Sequence, residues 1–451
     1  MNIYYLLAFV LPSLATNWCP GHGPSTTSRC NNNTFSGMET LLKGAFIETI
    51  SEIRDGDCFG EDTSSNIFYG VLSDTSVCQN AQDNPSCNYA THLPLSCALI
   101  VNMGTYRFGL IMPTTWNGSL LTVGSYSGCS TGGRQGLKQL ELDQSLFDGL
   151  LIGAPAWNQT HMLPWITKLA TINPPGAASS VFNNGTDVVL ISRQVREVCD
   201  ILDGIDTLIQ LYQNYTISNS TGRFLGFPAP ELGSDADYQT YLGPFVTVAP
   251  DGFDWQWEVD FLGYPRGFTF SDHIIEDAEK ADPGRATAKP KSTDWNAFNQ
   301  RGGKVIMYHG LADGLIPTKS TTQYWEDVNA ASSGATANFA RYYQIPGMHH
   351  CGRSDYDDIG YFAPWYIGGI GQQSLATIPQ TESVLRNSEF DILTSLMNWV
   401  EENSAPTSIV ATTWQGTTTT VRRQRPVCPY PQQAVNTNSN NIDKPSSWEC
   451  H

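Results

Sequence analysis

Charge is scarce in this sequence, and positive charge more so. Only 15% of its 451 residues are Asp, Glu, Lys or Arg, and 25 Lys and Arg stand against 43 acids, a formal net charge of −18. No basic patch offsets that field, so nucleic acid and anionic membrane surfaces are excluded as partners. Long hydrophobic runs are missing as well: beyond an apolar start, Ile3-Tyr-Tyr-Leu-Leu-Ala-Phe-Val-Leu11 ending in Ser13-Leu-Ala15, none is long enough to span a bilayer. The start reads as a signal peptide over residues 1–16, although it lacks the usual basic residues. Cysteine is not lacking. Eleven cysteines and six Asn-x-Ser/Thr sequons, at Asn32, Asn117, Asn158, Asn184, Asn214 and Asn219, point to an oxidising route, N-glycosylation and an extracellular product.

Two of the cysteines adjoin residues that could carry chemistry. Cys129 precedes Ser130 in Tyr126-Ser-Gly-Cys-Ser-Thr-Gly-Gly-Arg-Gln-Gly136, and Cys351 follows His350. A disulfide places its Cα atoms roughly 5.5 Å apart, so a Cys129–Cys351 bridge would bring Ser130 and His350 within reach of each other. Gly128-Cys-Ser-Thr-Gly132 is also a G-x-S-x-G pattern, which sets a serine on a sharp strand-to-helix turn with its hydroxyl exposed. The pattern alone is weak evidence in a chain with 40 glycines. Its context agrees: Leu120-Leu-Thr-Val123 is a β-type run before it, and Gly132, Gly133 and Gly136 suit a helix packed closely on a sheet. Hydrolases built on this turn run Ser, Asp, His along the chain. Asp313 fits as the acid, in the loop Leu311–Pro317 after the strand Lys304–Gly310. His350 lies in the glycine-bounded loop 345–352 after the strand-like 339–344. His349 has no cysteine neighbour and reads as a loop histidine without a catalytic role.

These segments, with Asp148-Gly-Leu-Leu-Ile-Gly-Ala-Pro-Ala156 and Pro346-Gly-Met-His-His-Cys351, resemble the secreted tannase and feruloyl esterase family over most of residues 37–450. The chain is most like feruloyl esterases of the B type. The resemblance implies Ser130 as nucleophile, His350 as general base, Asp313 as its orienting acid, a Cys129–Cys351 disulfide joining them, and a second pair between Cys428 and Cys450. It implies phenolic ester substrates on plant cell-wall polysaccharide, hydroxycinnamoyl ranked above galloyl, and no cofactor for the chemistry. It further implies a structural calcium site in a lid, with Asp200 and Asp203 matching its aspartates and the carbonyls of Ile205 and Ile209 available. Thr207 stands where the third aspartate is expected, and Asp206 is one residue out of register, which weakens any calcium site.

The expected architecture is an α/β-hydrolase core with an inserted lid. Residues 17–156 and 291–403 form the core, 157–290 the lid, and 404–451 a C-terminal extension closed by its disulfide. The last core helix is expected over Ser388–Glu402, from apolar residues at helical spacing. Cys19, Cys30, Cys58, Cys78, Cys87 and Cys97 leave fifteen pairings open, and Cys199 lacks the partner it has in the family. Trp157, Trp255, Trp257 and Tyr264 offer flat surfaces for a phenolic ring. One departure is large: Gly124 runs directly into the serine turn, where relatives carry on the order of 70 further residues, including the oxyanion loop after the third strand. The core is therefore expected to be shortened before the nucleophile, with the Thr131 N–H as the remaining oxyanion donor. A second reading follows from that gap, an inactive or truncated relative that only binds aromatic or polysaccharide ligands. The oligomeric state is not set by the sequence.

Overall fold

The computed structural model of the protein describes residues 46–53, 96–103, 106–113, 125–142, 147–172, 212–219, 222–231, 234, 253–282, 286–332, 334–352, 365–369, 372, 387–415 and 420–451. The chain divides into two compact units, residues 1–124 with 373–377, and residues 125–372 with 378–451. In the first unit β1 (Phe46–Ile53), β2 (Ser96–Met103) and β3 (Tyr106–Pro113) form an antiparallel sheet in that order. Two residues separate β2 from β3, the length of a tight hairpin connection, and Met103 pairs with Tyr106.

The second unit is built on a parallel sheet. Its strands are β4 (Ser125–Cys129), β5 (Gly149–Gly153), β8 (Lys304–Gly310) and β9 (Ala340–Ile345), in the order β4-β5-β8-β9. The crossovers are α1 (Thr131–Leu142) between β4 and β5 and α6 (Thr318–Ala331) between β8 and β9. Gly-Leu-Leu-Ile-Gly in β5 is buried throughout, and β8 is buried from Val305 to Gly310, as continuous apolar runs are in a parallel sheet covered on both faces. Alternate side chains then go to opposite faces. Leu150, Ile152, Val305, Met307 and Tyr342 join α1, α5 (Ser292–Gln300) and α6 through Leu137, Phe298 and Tyr324. Leu151, Ile306, Tyr308 and Tyr343 join α7 (Ile392–Glu402) through Leu396 and Trp399 on the other face.

The glycines after Ser130 work by close approach. A Cβ on Gly133 would collide with the carbonyl of Gly153 and the backbone of Pro155, so only glycine lets α1 lie this near the end of β5. Helix α7 begins at Ile392 rather than at the expected Ser388, because Asp391 caps it: its Oδ1 accepts the Thr394 N–H at 2.7 Å. The strand leading into the serine is Ser125–Cys129; the run 120–123, expected to supply it, lies outside the described residues. Strand β8 occupies the expected residues, and β9 is displaced by one. After α7 come two antiparallel pairs, β10 (Ile409–Trp414) with β11 (Val421–Val427) and β12 (Ala434–Asn436) with β13 (Trp448–Cys450). Cys428 and Cys450 are bonded there. Among the described residues no helix is long and apolar enough to cross a membrane.

Between β5 and β8 run α2 (Gln159–Ile172), the hairpin β6 (Tyr215–Asn219) and β7 (Gly222–Phe227), α3 (Phe253–Leu262) and α4 (His273–Ala281). Met162, Trp165, Ile166 and Leu169 of α2 gather with Tyr215, Phe227 and Ile275 in a third apolar cluster. Glu258 of α3 is wholly buried. Its Oε1 accepts from the Thr167 hydroxyl of α2 at 2.9 Å, while Oε2 meets no described donor outside its own residue. Burial pushes its carboxyl up to about 7, against the opposing hydrogen bonds from Thr167 and its own backbone. A group raised on folding contributes stability that is complete below its unfolded pKa, about 4.3, and lost as pH climbs through the folded value. Denaturant titration should therefore show the protein losing ~3 kcal/mol of stability between about pH 5 and about pH 8. Glu258→Gln should flatten that loss; a wild-type stability already flat across the interval would show that Glu258 stays charged.

Candidate active site

Ser130 follows β4 at the start of α1 and has φ 60°, a left-handed conformation that non-glycine residues adopt at a cost. The turn is held by its own backbone: Ser130 N donates to Gly153 O at 3.1 Å, and Ser130 O accepts from Arg134 N at 3.0 Å and Ala156 N at 3.1 Å. Thr131 opens α1 and is exposed; its N–H, in the first turn, has no partner inside the helix. Cys351 also has positive φ, 64°. Cys129 and Cys351 are joined with Cα atoms 6.2 Å apart across 222 residues of sequence. Both sulfurs and a ring nitrogen of His350 lie within 4.8 Å of one another.

Asp313 sits in the loop after β8 and is fully buried. Its Oδ1 accepts the backbone N–H groups of Leu315 at 3.0 Å and Ile316 at 2.8 Å, and its Oδ2 lies 2.8 Å from His350 Nδ1. Burial alone would raise its pKa; the charge of His350, with hydrogen bonds from His350 and His309, instead holds the carboxyl well below the usual carboxylate range. An ionised Asp313 accepts from His350 Nδ1–H, which leaves His350 Nε2 as the ring's basic nitrogen. The loop carrying His350 crosses the end of β8, where Ala312 N donates to Met348 O at 3.0 Å. A Cβ on Gly310 would strike the Met348 carbonyl, so the crossing depends on that glycine. His349 is buried in the same loop.

Ser130 and Thr131 line a cleft of about 370 Å³. Helix α2 supplies Gln159, Met162, Leu163 and Ile166 to its wall, residues at i, i+3, i+4 and i+7 that share one helix face. Helix α3 supplies Trp257 and Phe261 with Gln256 and Asp260, and the Asp313 loop adds Leu315 and Ile316. Trp257 and Phe261 stack with ring centroids 6.3 Å apart. Gln159 Oε1 is buried in this cleft with no described partner. Of the four aromatics expected to face a ligand, only Trp257 lines the cleft. Trp157 is a core residue against Tyr324, donating Nε1–H to Ser320 O at 3.0 Å; Trp255 packs on Phe268, and Tyr264 packs on Phe268 and donates to Asp277. Sequence spacing cannot tell which face of a short aromatic-rich helix is wet.

Sequence reasoning also missed His309. It is wholly buried, with Nε2 2.9 Å from Asp313 Oδ2. A histidine closing the apolar run Val305-Ile-Met-Tyr was the available signal, because a buried polar side chain there needs a partner. The residues expected to hold calcium, Asp200, Asp203, Ile205, Thr207 and Ile209, lie outside the described residues, as do Cys199, the signal segment and the side chains of Cys19, Cys30, Cys58, Cys78, Cys87 and Cys97. So do Asn32, Asn117, Asn184 and the side chain of Asn219; Asn214 is exposed and Asn158 half-buried.

The model of the family described as tannase and feruloyl esterase matches residues 122–220 and 278–451, more than half of the chain. The chain belongs to this family. It is 27% identical over 369 residues to the probable feruloyl esterase B-1 of Aspergillus oryzae, covering 72% of this chain and 63% of that protein. It is 25% identical over 414 residues to the mono(2-hydroxyethyl) terephthalate hydrolase of Piscinibacter sakaiensis, covering 72% and 63%. The chain thus spans less than two thirds of the length of these relatives. The crystal structure of feruloyl esterase B from Aspergillus oryzae superposes with a TM-score of 0.69 at 19% identity, covering 91% of this chain and 97% of that one. The fold is of the α/β-hydrolase type.

Closing a loop of 222 residues, the Cys129–Cys351 bond contributes about 5 kcal/mol in the chain-entropy view, with native-state strain subtracting from it. The double variant Cys129→Ala, Cys351→Ala should melt at least several degrees lower in differential scanning calorimetry. An unchanged midpoint would show that the bond does not restrain the unfolded chain.

Proposed function

We propose that the protein is a secreted serine carboxylic-ester hydrolase acting on phenolic esters, feruloyl or other hydroxycinnamoyl groups, of plant cell-wall material. The observation that carries this reading is the buried Asp313–His350 pair, joined through Cys351–Cys129 to a serine on a left-handed turn that faces an apolar-walled cleft. Ser130 Oγ attacks the ester carbonyl carbon while His350 Nε2 takes its proton, and Asp313 stabilises the imidazolium. The tetrahedral intermediate collapses as His350 returns the proton to the departing alcohol, leaving Ser130 acylated. Water, deprotonated by the same nitrogen, attacks the acyl carbon; the acid leaves and Ser130 Oγ regains its proton. The Thr131 N–H, at the positive end of α1, faces developing negative charge on the carbonyl oxygen. No cofactor takes part in these steps.

Trp257 and Phe261 supply the flat apolar surface that a phenolic ring needs, and the names of the curated relatives favour a feruloyl group. Galloyl esters are the alternative within the same chemistry. Residues 157–290 act as a lid in this reading, because α2 and α3 supply the cleft walls. Exposed Asn214 suits glycosylation in secretion, while the calcium site is what the resemblance to the family implies for Asp200 and Asp203. The core is shortened before the nucleophile, a reading supported by β4 pairing with β5 alone among the described residues. That edge position favours the second reading, an inactive relative that binds aromatic or polysaccharide ligands, since removing one oxyanion donor costs about 10²- to 10³-fold in turnover.

Two experiments separate these readings. Wild type should be labelled by a fluorophosphonate and hydrolyse methyl ferulate faster than methyl gallate, whereas Ser130→Ala should lose labelling and hydrolysis while still being secreted. Labelling that persists in the variant removes Ser130 as nucleophile; a wild type that binds ferulate without labelling or turnover establishes the inactive relative. Gln159→Leu removes a cleft-lining amide whose buried oxygen awaits a donor, and kcat/KM for methyl ferulate should fall by about tenfold. An unaltered kcat/KM would place Gln159 outside the substrate's reach.

A further inference from the structure

Two imidazoles share one oxygen of Asp313. His350 Nδ1 lies 2.8 Å from Oδ2 and His309 Nε2 lies 2.9 Å from it. His309 Nε2 is also 2.8 Å from the carbonyl oxygen of Ile316. Both of its neighbours are acceptors, so Nε2 carries a hydrogen in either protonation state of the ring and acts as the donor. The other nitrogen, Nδ1, is 2.8 Å from the Thr321 hydroxyl, which can donate or accept. His309 stands at the end of β8 and Thr321 in the first turn of α6, and both are wholly buried. The ring is therefore fixed at both nitrogens by regular secondary structure.

This completes the bonding of the carboxylate. Oδ1 accepts the two backbone N–H groups of Leu315 and Ile316 and Oδ2 accepts the two imidazoles, which uses the roughly four acceptor sites a carboxylate has. Without His309, Oδ2 would keep His350 as its side-chain donor, and rotation of the carboxylate would carry His350 with it.

We propose that His309 is a positioning residue: it fixes Asp313, and through Asp313 the ring of His350, in the orientation that presents Nε2 to Ser130. Its kinetic consequence rests on the serine-hydrolase reading; its geometric consequence does not. A second effect follows from the shared oxygen. Oδ2 divides its accepting capacity between two N–H donors, so the bond to His350 is weaker than it would be alone.

The test compares His309→Leu, which fills the space without a donor, with His309→Gln, whose amide can place a donor near the former Nε2. Turnover is normalised to fluorophosphonate-labelled sites, so loss of folded protein does not count. His309→Leu should lower kcat by about tenfold to about 100-fold, the scale of a small misplacement at a reacting group, with KM within about twofold of wild type. His309→Gln should recover most of kcat. The His350 Nδ1–H proton resonance should move further downfield in His309→Leu and return toward the wild-type position in His309→Gln. Should His309→Leu fail to fold, Thr321→Val removes only the hydroxyl on Nδ1 and should lower kcat several-fold with the same direction of shift. Equal turnover per labelled site in wild type and His309→Leu, or His309→Gln as impaired as His309→Leu, would overturn the proposal. An unlabelled wild type would instead defeat the serine-hydrolase reading, and the resonance alone would then decide: an unmoved signal in His309→Leu means His309 does not act on the pair.

Discussion

The site has to be assembled across the whole width of the parallel sheet formed by the described residues. Ser130 leaves the end of β4 and His350 follows β9, and these strands stand at opposite ends of the order β4-β5-β8-β9. Three strand spacings of roughly 4.8 Å put them about 14 Å apart, whereas the cysteines beside the two residues have Cα atoms 6.2 Å apart. The difference is made up by the loop after β9, which folds back over the end of β8. Gly310 allows the crossing, the backbone bonds Leu311 N to Ile345 O and Ala312 N to Met348 O pin it, and the disulfide holds its far end at the serine turn. Left-handed backbone at both Ser130 and Cys351 belongs to the same reach.

Asp313 is what the crossing delivers His350 to. A carboxylate with no exposure is tolerable only when its oxygens are bonded, and here backbone donors hold one oxygen and two histidines the other. The bonds to backbone arise from a tight loop after β8, so their donors carry no side-chain entropy to lose. Those from histidine couple the acid to two different structural levels: His350 belongs to the loop after β9 that crosses the sheet's end, and His309 to the strand β8 itself. An acid anchored in this way transmits the rigidity of the sheet core to the one residue that enters from the loop after β9.

What the sequence made legible follows from how local the cause is. Strand β8 is visible because an apolar run between polar ends has one stable location, buried in a parallel sheet; its bounds came out at Lys304 and Gly310. The turn at Ser130 is visible because glycines at 132, 133 and 136 mark a helix packed against β5. The expected start of α7 is four residues early because apolar spacing extends through Phe390, while the actual start is set by one capping bond to Asp391. The aromatics failed for a different reason. Trp157 and Tyr324 meet across 167 positions of sequence, and nothing local says that Trp157, just before α2, goes into the core while Trp257, within α3, faces the cleft. For His309 the sequence signals only that a buried polar ring needs a partner; its partners Asp313, Ile316 and Thr321 lie within twelve residues, yet only the fold turns that short stretch back on itself.

The cleft shows how these constraints meet. Its walls are apolar and come from α2, α3 and the Asp313 loop, so the loop that bonds the carboxylate through Leu315 N and Ile316 N also presents Leu315 and Ile316 to whatever enters. A change in the shape of that wall therefore acts on Asp313 through its backbone donors. Helix α3, on the opposite wall, carries an acid of its own: Glu258 is buried against Thr167 on α2 while Trp257 and Phe261 line the cleft. Ionising Glu258 places an incompletely bonded charge between the two helices that form the wall. The same helix thus presents aromatic surface to the cleft and an ionisable group to its packing partner, so wall geometry and protonation are linked by the packing of α3 on α2 even though Glu258 itself does not line the cleft.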